Sequence, residues 1–95
     1  MNNNKTCDDL KYILLQRKGG MTTANIMEQL LIRPYNSNQI AKKLHISYNT
    51  ASNHCRIMVK FNLVEKKNTP NGTYYYPKEN LIREKKSFEE IKKLI

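Results

Sequence analysis

The stretch N-S-N-Q-I-A-K-K-L-H-I-S-Y-N-T-A-S-N-H-C-R-I-M-V-K-F-N-L-V-E-K-K, Asn36 to Lys67, followed by N-T-P-N-G-T-Y-Y-Y, Asn68 to Tyr76, decides the fold of this chain. Ser37 or Asn38 opens a helix with Ile40, Ala41 and Leu44 inward and Lys42 and Lys43 outward, and His45-Ile46-Ser47 breaks the period after two turns. Ser47 or Tyr48 begins the next helix. Its Ala51, His54, Cys55 and Met58 fall on one face, with Ile57 and Phe61 along the margin. Leu63 to Lys67 and Thr73 to Tyr76 are rich in β-branched and aromatic residues and predict paired strands, with Asn71-Gly72 supplying positive φ near the tip. Two helices on a short turn, then a hairpin, form the centre of a mainly α protein with a small β-hairpin.

Upstream, Leu10, Ile13 and Leu14 recur at helical spacing, and Arg17-Lys18-Gly19-Gly20 closes that helix. Thr22 or Thr23 is the expected cap of a second helix, in which Ile26, Met27, Leu30 and Leu31 form an apolar stripe that Pro34 ends. Downstream, Pro77 stops the second strand. Ser87-Phe88-Glu89-Glu90 has the S-x-x-E form of a capping box, opening a last helix with Phe88, Ile91, Leu94 and Ile95 on one stripe. Tyr74 and Tyr76 alternate with Tyr75, so one set packs on the helices; the expectation is that Tyr74 and Tyr76 do.

At 95 residues the chain suits a single domain over 1–95, with 78–95 as a C-terminal helical extension. Seventeen Lys and Arg against eight Asp and Glu give a formal net charge of +9, which points to a polyanionic partner. Cys7 and Cys55 form no C-x-x-C pair, so neither a disulfide framework nor a zinc site is expected. No apolar run approaches the roughly 18 residues that span a bilayer, and the N-terminus is polar, so a cytoplasmic protein without membrane attachment is expected. Nucleotide loops, nucleophile elbows and H-E-x-x-H are absent from the sequence, and the carboxylates are scattered; no catalysis and no cofactor or metal are expected.

The polar face of the helix beginning near Ser47 carries the chemistry. Asn49, Ser52, Asn53, Arg56 and Lys60 lie within a stripe about 100° wide, with Lys60 near the helix end and suited to a phosphate. Major-groove base edges are discriminated by paired donors and acceptors, Arg for guanine and Asn for adenine, so Asn49, Ser52, Asn53 and Arg56 are the candidates for base readout in double-stranded DNA. Gln39, Lys42, Tyr48, Thr50 and Lys60 are the candidates for phosphate contacts, and Lys66, Lys67, Asn68 and Asn71 place charge and amides on the hairpin. His54 and Cys55, adjacent on a helix, point in different directions and are expected to pack rather than to bind metal.

Together, Arg17-Lys18-Gly19-Gly20, R-P-Y-N-S-N-Q-I-A-K-K-L-H-I-S-Y-N-T (Arg33 to Thr50), His54, N-L-V (Asn62 to Val64) and Y-Y-Y-P (Tyr74 to Pro77) resemble the archaeal winged helix-turn-helix regulators related to the ArsR family. The resemblance covers roughly residues 10 to 77 and implies a winged helix-turn-helix fold. It also implies a recognition helix over about 47–61 in the major groove, a wing over about 63–76 on the backbone or minor groove, and a transcriptional regulator, expected to be a repressor. Homodimerisation through the terminal helices is implied as well, with recognition helices roughly 34 Å apart. Gln39 to Leu44 holds no cysteine, unlike metal-sensing members, and Asn62 stands where the family often has glycine. A non-specific chromatin-like DNA-binding protein and a winged-helix protein-interaction module are the alternatives.

Overall fold

The computed structural model describes residues 4–95. Helix α1 (Asn4–Lys11) runs directly into a π-helical turn (Tyr12–Gln16), in which the Arg17 amide donates to the Tyr12 carbonyl at 3.1 Å. The widened turn keeps Ile13 and Leu14 buried beside Leu10. The chain reverses at Gly19, whose φ of +84° lies in the left-handed region, and α2 (Gly20–Ile32) starts there.

This start corrects the expected cap. Neither Thr22 nor Thr23 precedes α2: both lie inside it, and Thr23 is buried with its hydroxyl 3.3 Å from the Gly19 carbonyl. Gly20 faces the Leu14 backbone so closely that a Cβ there would sit 2.0 Å from the Leu14 carbonyl oxygen. A glycine was therefore required for packing where the sequence suggested only a helix stop.

Helix α3 (Ser37–Leu44) is opened one residue earlier than expected, by Asn36. The Asn36 side chain accepts from the Gln39 amide at 2.8 Å, and the Gln39 side chain accepts from the Asn36 amide at 3.0 Å, a complete capping box. His45, at φ +59°, ends α3 in left-handed geometry, which makes the tight turn into α4 (Tyr48–Lys60). Ser47 caps α4 by accepting from the Thr50 amide at 3.0 Å. Asn62 closes the far side at φ +64°, the geometry that a glycine supplies elsewhere, and the chain enters β1 (Val64–Thr69).

Strand β1 pairs antiparallel with β2 (Gly72–Pro77), with Lys66 opposite Tyr75 and Lys67 opposite Tyr74. Of the tip residues only Gly72 takes positive φ, at +129°; Asn71 does not, against expectation. The other edge of β2 bonds to the α2–α3 linker, where the Tyr75 amide donates to the Tyr35 carbonyl at 2.9 Å. That bond draws Tyr75 inward, and it is 7% exposed. The tyrosine expectation is thus reversed: Tyr75 is core, while Tyr74 and Tyr76 stand half-buried on the outer face.

A short helix absent from the sequence-based outline, α5 (Glu79–Arg83), precedes α6 (Lys85–Lys92). Ser87 lies within α6, not at its cap, and its hydroxyl donates to Glu84 at 3.1 Å. Phe88 and Ile91 are buried, whereas Leu94 and Ile95 are 71% and 41% exposed, so the expected stripe splits between core and surface. Asn80 anchors the extension by donating to the Thr6 hydroxyl at 3.2 Å and to the Asn62 carbonyl at 3.1 Å, and Lys92 pairs with Glu28 of α2.

The core is one cluster of residues from α1 through α6, among them Leu10, Ile26, Met27, Leu30, Ile40, Met58 and Phe88. Two helices on a tight turn, braced by α2 and followed by a hairpin, make this a winged helix-turn-helix.

Candidate nucleic-acid interface

Helix α4 divides lengthwise as its sequence required. Ala51, Cys55 and Met58 are fully buried, and burial pushes the Cys55 thiol up to about 12, so it is a small hydrophobe and not a reactive group. His54 lies on the same side, with Nδ1 2.7 Å from the Thr23 hydroxyl. Burial, with the nearby Arg17 charge, lowers the His54 pKa and favours the neutral ring. Packing is the role of both residues.

On the opposite side Asn49, Asn53, Arg56 and Lys60 are exposed, and Ser52 is half-buried. One Arg56 Nη donates to Asn53 Oδ1 at 3.0 Å, so the guanidinium and amide are held as a pair one turn apart. Held in this way, they offer a fork of donors beside an amide, the chemistry that base edges in a major groove can read.

Beside the first turn of α4 lies a cleft of about 380 Å³ walled by the start of α3 (Asn36, Ser37, Asn38), by Tyr48 and Ser52, and by Lys66, Asn71, Thr73 and Tyr75 of the hairpin. Apart from the backbone of Gly72, every wall group carries a side-chain donor or acceptor and none is acidic. Four residues singled out from sequence meet here: Tyr48, Ser52, Lys66 and Asn71.

The remaining candidates divide. Lys42 and Lys60 project freely, whereas Gln39 is engaged in the α3 capping box and the Thr50 hydroxyl accepts from Ser47 at 2.9 Å. Asn68 accepts from the Thr73 hydroxyl at 2.7 Å. Register separates the two adjacent wing lysines. Lys66 shares the inward face with Tyr75, while Lys67 lies on the outer face, 3.4 Å from Glu65 and 4.9 Å from the Tyr76 ring centroid.

Asn36, Asn38 and Thr73 were not singled out, though they share the cleft. One sequence signal marks the whole surface: between Glu28 and Glu65 no carboxylate occurs, while Arg33, Lys42, Lys43, Arg56 and Lys60 all do. Elsewhere, Cys7 donates to Glu84 at 3.2 Å; a hydrogen bond with Ser87 pulls its pKa down, but the Glu84 contact and burial outweigh it and the thiol is raised. Among the described residues no group of three or more His, Cys, Asp or Glu is placed to hold a metal ion, and no helix is long and apolar enough to cross a membrane.

Residues 22–66 match the family model described as bacterial regulatory protein, arsR family, a span from the first turn of α2 to the start of the hairpin. No curated protein matches the chain. The matched span contains the helix-turn-helix and the whole of its polar stripe, and it supports a DNA-binding transcriptional regulator.

Proposed function

We propose, with an ArsR-type helix-turn-helix over residues 22–66 as the premise, that this chain is a sequence-specific regulator of transcription acting on double-stranded DNA. Helix α4 enters the major groove, where Asn49, Ser52, Asn53 and Arg56 read base edges. Lys42, Tyr48 and Lys60 contact phosphates, as do the free donors of Gln39 and Thr50. The wing lies on the backbone or minor groove through Lys66, Asn68 and Asn71, with Lys67 as a weaker contributor. Occupying a promoter in this way excludes polymerase, so repression is the effect proposed.

The observation that carries this reading is the paired Asn53 and Arg56 on an exposed face that no carboxylate shares. A surface serving solubility alone has no need of an adjoining cleft lined by hydrogen-bonding groups and free of carboxylates. Self-association through the terminal helices belongs to the same proposal. Exposed Leu94 and Ile95 beyond α6, with Tyr12 and Leu15 exposed on the N-terminal segment, supply apolar surface for a second copy.

Selection of bound duplexes from a random pool tests the proposal. An inverted repeat with half-site centres about 10 base pairs apart is the expected product. Binding without any enriched sequence would leave only a backbone-directed, chromatin-like protein.

A further inference from the structure

The parity of the wing places Tyr74 and Tyr76 on a second surface, which meets the cleft beside α4 only at Asn71. Tyr74 and Tyr76 stand on the outer face of β2, with Lys67 across the hairpin and Arg33 beside them on the linker from α2. Arg33, Pro34, Thr69, Asn71, Tyr74 and Tyr76 enclose a concavity of about 310 Å³. The guanidinium of Arg33 sits 4.5 Å from the Tyr35 ring centroid, and the Lys67 ammonium 4.9 Å from that of Tyr76. None of the six enclosing residues is acidic, and the one carboxylate on this face, Glu65, is paired with Lys67 at 3.4 Å.

We propose that this outer face of the wing binds a short single-stranded nucleic-acid segment, whose bases stack on Tyr74 and Tyr76 while Arg33 meets its backbone. Every base has a π-face, so an aromatic pair beside a cation accepts unpaired strands with little regard to sequence. Residues two apart on a strand are about 6.8 Å apart, close to twice the stacking rise of about 3.4 Å, so one base has room between the two side chains. A charge of +9 favours a phosphate-bearing occupant over a peptide. The tyrosines lie on the opposite side of the hairpin from Lys66 and Tyr75, and Asn71 at the tip is the residue that this concavity shares with the cleft beside α4.

The test is fluorescence anisotropy with a labelled 12-nucleotide single strand of mixed sequence and, separately, a duplex. Replacing both tyrosines, Tyr74→Leu with Tyr76→Leu, should weaken single-strand binding about tenfold or more, and duplex affinity should stay within about twofold. Phe at both positions retains the stacking faces and should retain single-strand affinity. If the Leu pair melts at markedly lower temperature than the parent, Arg33→Gln carries the test by weakening single-strand binding severalfold while sparing the duplex. Single-strand affinity that ignores both sets of changes, or that falls as far with Arg56→Ala as with the Leu pair, overturns the proposal. So does a parent protein that binds no single strand at low salt.

Discussion

The Thr23 hydroxyl lies 2.7 Å from Nδ1 of His54, and it joins the first turn of α2 to the middle of the helix proposed to read DNA. His54 also packs over Gly19, where an added Cβ would meet its ring at 3.2 Å. This polar contact is set into the apolar seam, built on the α4 side by Ala51, Cys55 and Met58, that holds α4 on the body of the protein.

Because burial and Arg17 lower the pKa of His54 in the fold, the unfolded chain binds the proton more tightly. The stabilisation is present above the unfolded value, about 6.5, and is lost as pH falls through the lower folded value. Urea midpoints of the parent should therefore drop between neutral and mildly acidic pH by more than those of His54→Gln. At neutral pH Thr23→Val should cost about 1 to 3 kcal/mol, since it leaves a half-buried ring nitrogen without its partner. Parallel pH curves for parent and His54→Gln would remove His54 from the account.

Gly20→Ala places a methyl group against backbone, not against a side chain that can swing away. The junction of the π-helical turn with α2 must then open, and a loss of about 3 kcal/mol or more is expected in denaturant titration. A loss below about 1 kcal/mol would show that this junction is not tightly packed.

The hydrogen bond from Arg56 to Asn53 makes the two residues one unit. On a selected operator, Arg56→Ala should cost about 1 to 3 kcal/mol and relax preference at one base pair. Asn53→Ala should disturb that same base pair as well as its own. The two single losses should then exceed the loss of the double variant, with a coupling of about 0.5 kcal/mol or more. Additive losses would mean that the residues act separately.

Register assigns different roles to adjacent lysines. Lys66 faces the cleft with Tyr48 and Ser52, whereas Lys67 is already neutralised by Glu65. Removing Lys66 should lower the salt slope of DNA binding by about 1, while removing Lys67 should change it by less than half as much. Equal slopes for the two variants would count against the inward placement of Lys66.

Much of this was legible in the sequence. Helix periods placed the core residues of α2, α3 and α4, and Ser47 and Asn62 marked the ends of α4 through capping chemistry. What escaped depended on contacts distant in sequence. Strand alternation allows either Tyr75 or its neighbours to face inward, and the bond from Tyr75 to Tyr35, forty residues earlier, decides between them. The pattern Ser87 to Glu90 satisfies a capping box locally, but Glu84, held by Cys7 of α1 and by Ser87, lies at the true start of α6. Residues proposed to contact DNA were visible as a stripe on α4, whereas the cleft beside it was not, because its walls come from three separate elements.

Base reading by α4 in the major groove is what separates a specific regulator from a backbone-binding protein. Its most direct test is a scan of 7-deazapurines through the selected operator, which deletes one major-groove acceptor at a time and leaves pairing and phosphates intact. Losses of about 1 to 3 kcal/mol are expected, confined to one or two purines per half-site, with the loss at one of them abolished in Arg56→Ala. Undiminished affinity at every position, with steep salt dependence retained, would contradict it and leave only backbone binding.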